Sequence, residues 1–524
     1  MIIAEVIVIP VISSLFFSQG LFAEEITLFY TNDLHAHVNP WINTVVDKSR
    51  PVGGFATIAG IVNQAKQNDK NVFFFDAGDY FTGPYISILT KGEAIVDILN
   101  TMPYDAVSVG NHEFDHGTPN MVAQLAKITN FPVLLNNVYY KNSDKRVIDR
   151  PWTIIEKNNL KIGVIGMHSR FAFYDTIAAK MIEDVEARDE VPELKQSIAE
   201  LKAKHVDLIV LLAHEGVPGR QSSFGNSDVA RLLQADIDTA KKVDGIDVLI
   251  TGHAHVGTPV PLKANNTLIV STDAYATDLG KLVLNFNPET KKIESYNGKL
   301  ITLFADQYKP DPNVQKEIDK WEKKLKTITS QVIGHSANVL TRSYGESSPL
   351  GNLMLDATMA QSTDAVVGFQ NSGGLRADIP KGEVTFGDVI STYPFNDELV
   401  EMDLTGKDLI SLMIHATNLT NGALQVSKNV KVTYSSKKPL NERIISFTID
   451  GKSIQDSKTY RVVTNSFCAS GGDGYQAFVT GKNRKTIPGS SNSGALISYF
   501  KEHDIVTPDE TKRVTDIANT NSKN

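Results

Sequence analysis

The chain has 524 residues, too many for one compact core, and this length points to two large domains or three small ones. Its 41% hydrophobic and 21% charged residues fit an ordinary globular protein and exclude a disordered one. A net charge of −8 without a long basic run argues against a surface grip on a nucleic-acid polymer, although local cations can still hold a small anion.

Residues 1–23 are almost continuously apolar and are followed by Glu24 and Glu25. This segment resembles a secretory signal peptide with cleavage near Ala23, which implies export to a periplasm or the exterior. The segment has no Lys or Arg and carries Glu5, and its length approaches the ~20 residues that span a bilayer. An uncleaved anchor is therefore the competing reading; cleavage would leave no stable membrane anchor. No cysteine lies near Ala23 to carry a lipid.

From 24 to 305, strand-like runs alternate with helical stretches. The apolar runs 26–30, 72–75, 106–109, 208–212 and 248–250 read as buried strands. Between them, 54–67, 92–100, 119–128, 191–204 and 227–233 read as helices, which gives a layered α/β domain with helices covering a sheet. Pro310-Asp311-Pro312 interrupts the pattern. Within a connector of 306–334, residues 313–330 predict a charged helix with Val314, Ile318, Trp321, Leu325 and Ile328 near helical spacing. From 335 to 518 the pattern changes to helices, hairpins and Gly-rich loops, as in a smaller α+β domain. A helix is expected over 349–360 and strands over 365–369 and 461–464. Cys468 is the only cysteine, so no intrachain disulfide or thiolate-held metal is available, and it reads as a packed small side chain.

These five apolar runs of the first half each end in Asp, His or Asn. In open α/β sheets, ligands gather beyond the carboxyl ends of the strands. Asp33 and His35 are two apart, so both can point to one side of a strand end, and His253 and His255 repeat that spacing. Asp79 follows Gly78, whose bare backbone lets the carboxylate reach a crowded centre. With Asn111 and His214, these residues can supply two metals, Asp79 bridging. A His- and carboxylate-rich set without sulfur suits Zn, Mn or Fe better than Ca or Mg. Two such ions ~3.5–4 Å apart can hold a hydroxide between them for in-line displacement. His112 adjoins a proposed ligand and can face the substrate instead. Asp115, three residues on, can orient the imidazole and favour its protonated form. That pair would act on the phosphoryl transition state or the departing oxygen. His37, His116, His168, His205, His335, His415 and His503 read as structural or surface residues.

The strings T-N-D-L-H-A-H (31–37), D-A-G-D (76–79), G-N-H-E-F-D-H-G (110–117), A-H-E-G (213–216) and T-G-H-A-H (251–255), with V-G-G-F-A-T-I-A-G (52–60), resemble the 5′-nucleotidase family of calcineurin-like metallophosphoesterases. The likeness implies a two-metal catalytic domain followed by a nucleotide-binding domain, with the active site between them. By motif, Asp33, His35, Asp79, Asn111, His214, His253 and His255 would be metal ligands, and His112 and Asp115 the catalytic dyad. In the second domain N-S-G-G-L-R (371–376) resembles the family's substrate loop, with Ser372 replacing a glycine. The likeness implies substrate contacts from Arg342, Asn371 and Arg376, the arginines mainly through phosphate or carboxylate-like oxygens. Y-P-F (393–395) and N-S-F-C-A-S-G-G-D-G-Y (465–475) imply that Phe395 and Phe467 sandwich the base and that Asp473 accepts from ribose hydroxyls.

The expected activity is hydrolysis of nucleoside 5′-monophosphates. Rival readings are a 2′,3′-cyclic nucleotide 2′-phosphodiesterase with 3′-nucleotidase activity, a nucleotide-sugar hydrolase, and a silent nucleotide-binding or adhesion protein on the same scaffold.

Overall fold

The computed structural model describes residues 23–43, 45–216, 229–395, 397–419 and 423–520. The expected leader lies outside the described residues apart from Ala23, and so do the first two positions of the helix expected at 227–233.

The first body is built on two six-stranded sheets rather than the single sheet that the pattern suggested. One runs in the order Lys292–Thr302, Asp278–Asn287, Glu24–Thr31, Val72–Asp76, Ala106–Ser108, Val133–Leu134. The other runs Leu262–Ala264, Thr267–Val270, Val248–Gly252, Leu208–His214, Leu160–His168, Trp152–Lys157. Their face-to-face packing follows from the alternation of side chains along each strand. Ile26, Leu28, Phe73 and Phe75 from the first sheet meet Val210, Leu212, Val248 and Ile250 from the second in one core. The intervening Phe29 and Phe74 point outward into a layer with Phe55, Ile58 and Val62 of helix Phe55–Asn68. Ile209, Leu211 and Leu249 point the other way, against helix Glu190–Ala203. The order is therefore helix, sheet, sheet, helix. Strands apolar on both faces require covers on both.

Helix Pro312–Thr329 starts with Asp311 accepting from the backbone of Asn313 at 2.9 Å, and Pro312 fills the first turn. Its Val314, Ile318, Trp321 and Leu325 are buried in the same outer layer as Phe55 and Val62. Ile328, expected on that face, is 49% exposed, and Thr329 takes the inward place.

The second body carries a five-stranded sheet in the order Leu424–Val426, Val367–Asn371, Thr459–Asn465, Leu399–Thr405, Lys482–Thr486, and a four-stranded one beside it. Helix Pro349–Gln361 is capped by Ser348, and helices Phe386–Thr392 and Gly406–Ala416 each begin with a Thr–Asp capping box. Cys468 is buried in this body's core.

Strands Glu24–Thr31, Val72–Asp76 and Ala106–Ser108 are mutually parallel, as are Leu160–His168, Leu208–His214 and Val248–Gly252. Their carboxyl ends therefore share one edge, which faces the second body.

Candidate active site

At that edge the loops turn sharply. Asp33, His35, Asp79, His253 and His255 all have positive φ, from 45° to 80°. Such a backbone costs of order 1–3 kcal/mol for a residue with a Cβ, and it clusters where function constrains geometry. Gly78 and Gly110 allow the close approach: a Cβ on Gly110 would lie 2.2 Å from Asp79 Oδ1.

The turns gather two overlapping donor groups. Asp33, His35, Asp79 and His255 form one, and Asp79, His214 and His253 form the other; each group's ligand atoms lie within 4.8 Å of one another. Asp79 belongs to both. Asn111 joins the second, its Oδ1 lying 3.0 Å from both His214 Nε2 and His253 Nδ1.

The ring contacts show what the centre can hold. His35 Nδ1 donates to the Thr82 carbonyl at 3.0 Å, so its Nε2 presents a lone pair, and that atom lies 2.9 Å from His255 Nε2. His214 Nδ1 donates to the Ala77 carbonyl at 2.9 Å. Its Nε2 faces two acceptor oxygens, Asn111 Oδ1 at 3.0 Å and Asp79 Oδ2 at 3.1 Å. Acceptors converging on acceptors fit bound cations, and the carbonyl bonds at Nδ1 are the outer-shell contacts that fix a ligating tautomer. With protons alone at the centre, burial opposes charge on His214, but Asp79 and Asp33 outweigh it and raise its pKa to about 10. The donor set thus fits two divalent ions.

His112 stands beside this centre. Its backbone N–H donates to Asp79 Oδ1 at 2.8 Å, while its ring Nδ1 meets Asp115 Oδ2 at 2.6 Å. Burial lowers the imidazole's pKa, but Asp115 and Asp79 outweigh it and leave it above the ordinary value. Beneath, the carboxylate of Glu113 accepts backbone N–H groups from Asp79, Phe81 and Gly110 at 2.7–3.0 Å, tying the two loops together.

A cavity of about 270 Å³ opens from this centre between the two bodies. Asp79, Asn111, His112, Asp115, His253 and His255 line one side, and Asn371, Arg376, Phe395, Phe467 and Asp473 the other. Arg376 Nη2 lies 3.2 Å from His35 Nε2, so a guanidinium from the second body reaches the cluster. Asp473 Oδ2 accepts from Asn371 Nδ2 at 2.7 Å. Arg342 lies off the cavity wall, its guanidinium over the rings of Tyr344 and Tyr275 at 5.0 and 5.6 Å and its Nε 3.7 Å from Asp378. His37 stays outside both donor groups, with Nδ1 on the His35 carbonyl.

Sequence reasoning missed several residues here. Tyr275 packs against His35 and His255, and its hydroxyl meets that of Tyr344 at 2.7 Å across the interface. His116, read as structural or surface, lies on the cavity wall, as do Tyr393 and Asp397. His116 does follow the strand 106–108, within the motif 110–117, so a signal for it was present, whereas Tyr275, Tyr344, Tyr393 and Asp397 lie outside the strand-end pattern that exposed the metal donors.

The fold and site define a two-cation phosphoesterase whose donors sit on strand-end loops. Residues 26–257 match the calcineurin-like phosphoesterase model and 332–480 the model of the 5′-nucleotidase C-terminal domain. The chain is 25% identical to a 5′-nucleotidase of Bos taurus, over 92% of this chain and 89% of the relative. It is 28% identical to an apyrase of Anopheles gambiae, over 93% and 90%. The crystal structure of a 5′-nucleotidase precursor from Thermus thermophilus superposes with a TM-score of 0.81 at 26% identity, covering 94% of this chain and 99% of that one. The two family models together span well over half of the sequence. The chain belongs to the 5′-nucleotidase family of calcineurin-like metallophosphoesterases and is a metal-dependent phosphoric monoester hydrolase.

Proposed function

We propose that the protein is an exported 5′-nucleotidase that hydrolyses nucleoside 5′-monophosphates to nucleoside and phosphate. The observation that carries this reading is a single cavity joining the Asp79-centred cluster to Arg376, Phe395 and Phe467. Asp33, His35, Asp79 and His255 would hold one divalent ion, and Asp79, Asn111, His214 and His253 the other. When bound, the two ions lower the pKa of water and neutralise phosphoryl charge. His112, held by Asp115, would donate a hydrogen bond to the phosphoryl group or the departing 5′ oxygen. Arg376 and Asn371 would orient the phosphate, with Arg342 contributing positive charge from behind. Phe395 and Phe467 would hold the base, and Asp473 the ribose hydroxyls. Domain limits of 24–305 and 335–518, joined through 306–334, accord with this division of labour.

Export is supported by the apolar leader; among the described residues, no helix is long and apolar enough to cross a membrane. Turnover of AMP, 3′-AMP, 2′,3′-cyclic AMP and UDP-glucose by purified protein tests the substrate assignment. AMP should be hydrolysed best, and negligible AMP hydrolysis rejects the proposal. The resemblance to an apyrase makes ADP an informative fifth substrate. Activity lost on chelation and restored by Mn or Zn excludes a silent binding protein.

A further inference from the structure

One carboxylate on the cavity wall has no task in the chemistry above. Asp397 lies two residues beyond Phe395 and is tied to the segment that carries Phe467. Its Oδ1 accepts from Ser466 Oγ at 2.8 Å, and its Oδ2 from Tyr393 Oη at 2.8 Å. Burial raises its pKa above the ordinary carboxylate range, and the hydroxyls of Ser466 and Tyr393 work against that rise. The other charge that acts on it is the Asp115 carboxylate, which raises its pKa further, while the Phe467 backbone N–H lowers it. A carboxylate offers about four lone-pair positions, so beyond the Ser466, Tyr393 and Phe467 bonds this cavity-lining one retains acceptor capacity at one position.

Its position relative to Asp473 gives that capacity a direction. Asn371 Nδ2 donates to Asp473 at 2.7 Å, Asn465 Nδ2 donates to Asn371 Oδ1 at 2.9 Å and to Tyr393 Oη at 3.2 Å, and Tyr393 donates to Asp397. Asp473 and Asp397 thus terminate one hydrogen-bonded chain along the wall. With ribose at Asp473 and the base between Phe395 and Phe467, a carboxylate two residues beyond Phe395 would stand toward the part of the base away from the glycosidic bond. In a purine this is the N1–C6 edge. Guanine and hypoxanthine carry a ring N1–H there, whereas adenine carries a bare acceptor nitrogen that a carboxylate repels.

We infer that Asp397 is a specificity-determining residue that accepts the ring N–H of a 6-oxopurine, so that guanosine and inosine 5′-monophosphates are preferred to adenosine 5′-monophosphate. The inference rests on the nucleotidase reading and on the placement of ribose at Asp473. It adds the substrate class within that reading.

The test is kcat/KM for GMP, IMP, AMP and purine riboside 5′-monophosphate, which lacks both the N1–H and the exocyclic groups. Ribose 5-phosphate serves as the substrate without a base. The parent protein should favour GMP and IMP over AMP and purine riboside 5′-monophosphate by about 10-fold or more, the scale of one hydrogen bond to an ionised group. Asp397→Asn, which replaces one acceptor oxygen by a donor, should bring GMP and AMP within about 3-fold of each other. It should also lower the GMP to ribose 5-phosphate ratio. Equal turnover of the four nucleotides by the parent protein overturns the assignment, as does an unchanged GMP to AMP ratio in the variant. If the variant does not fold, the parent series decides alone. If p-nitrophenyl phosphate is hydrolysed but no nucleoside 5′-monophosphate is, the nucleotidase reading itself fails, and this inference with it.

Discussion

The two bodies present functional groups to one cavity by different means. In the first, parallel strands buried on both faces deliver Asp33, His35, Asp79, His214, His253 and His255 to one edge, where tight turns at positive φ fix all but His214, the last residue of its strand. In the second, the groups come from loops and short helical turns far apart in sequence: Arg376, Phe395, Phe467 and Asp473. A centre that must hold cations tolerates little displacement, and sheet ends provide that rigidity. Recognition of a variable base tolerates exchange in loops on a stable scaffold. On the proposed function, the first body would carry the chemistry and the second the choice of substrate.

The sharpest way to break this division is through the carboxylate shared by both donor groups. Asp79→Ala should lower hydrolysis by more than ~10⁴-fold, with bound metal lost in elemental analysis. Retention of both metals would contradict the sharing. His112→Ala should lower kcat by ~10²–10⁴-fold while metal content stays near that of the parent, because the bond to Asp79 comes from the His112 backbone and survives the change. Metal loss in that variant would make His112 a ligand. On the other side of the cavity, Phe467→Ala should raise KM for nucleotides by ~5–100-fold, with a smaller effect on p-nitrophenyl phosphate. Equal damage to both substrates would assign the ring to the core.

The smallest expected effect lies away from the cavity. Burial opposes ionisation of Asp509, but the Thr511 and Arg513 hydrogen bonds outweigh it and hold its pKa down to about 2. Its folded pKa lies below its unfolded value near 3.9. The stabilisation is therefore present above pH ~4 and lost as pH falls through about 2. Thermal melts of Asp509→Asn should vary less than those of the parent across that window; equal slopes would show that the pair contributes nothing. Hydrolysis near neutral pH should not reveal this change, since Asp509 is not among the cavity-lining groups.

Much of the first body was legible because its signals are local. Runs such as 72–75 are apolar on both faces and end in donors, and the motif 110–117 brings a ligand candidate, His112 and Asp115 within six positions. The division into two sheets was not legible, although 208–212 and 248–250 of the second sheet read as strands. That sheet's strand Leu160–His168 ends in His168, which binds the Ser169 carbonyl and joins neither donor group. Phe395 and Phe467 were named only through family resemblance, since a lone Phe reads as core.

The sequence by itself determined which residues stand at strand ends and what ions such donors suit, because side-chain alternation and donor chemistry are properties of short segments. Only the tertiary structure decided that Asp79 is common to both groups, that His35 and His255 direct lone pairs at one point, and that Tyr275 meets Tyr344 across the interface. It also decided that Asp397 and Asp473 end one hydrogen-bonded chain. These relations join residues up to 220 positions apart, as His35 and His255 are, and no local periodicity encodes the packing that brings them together.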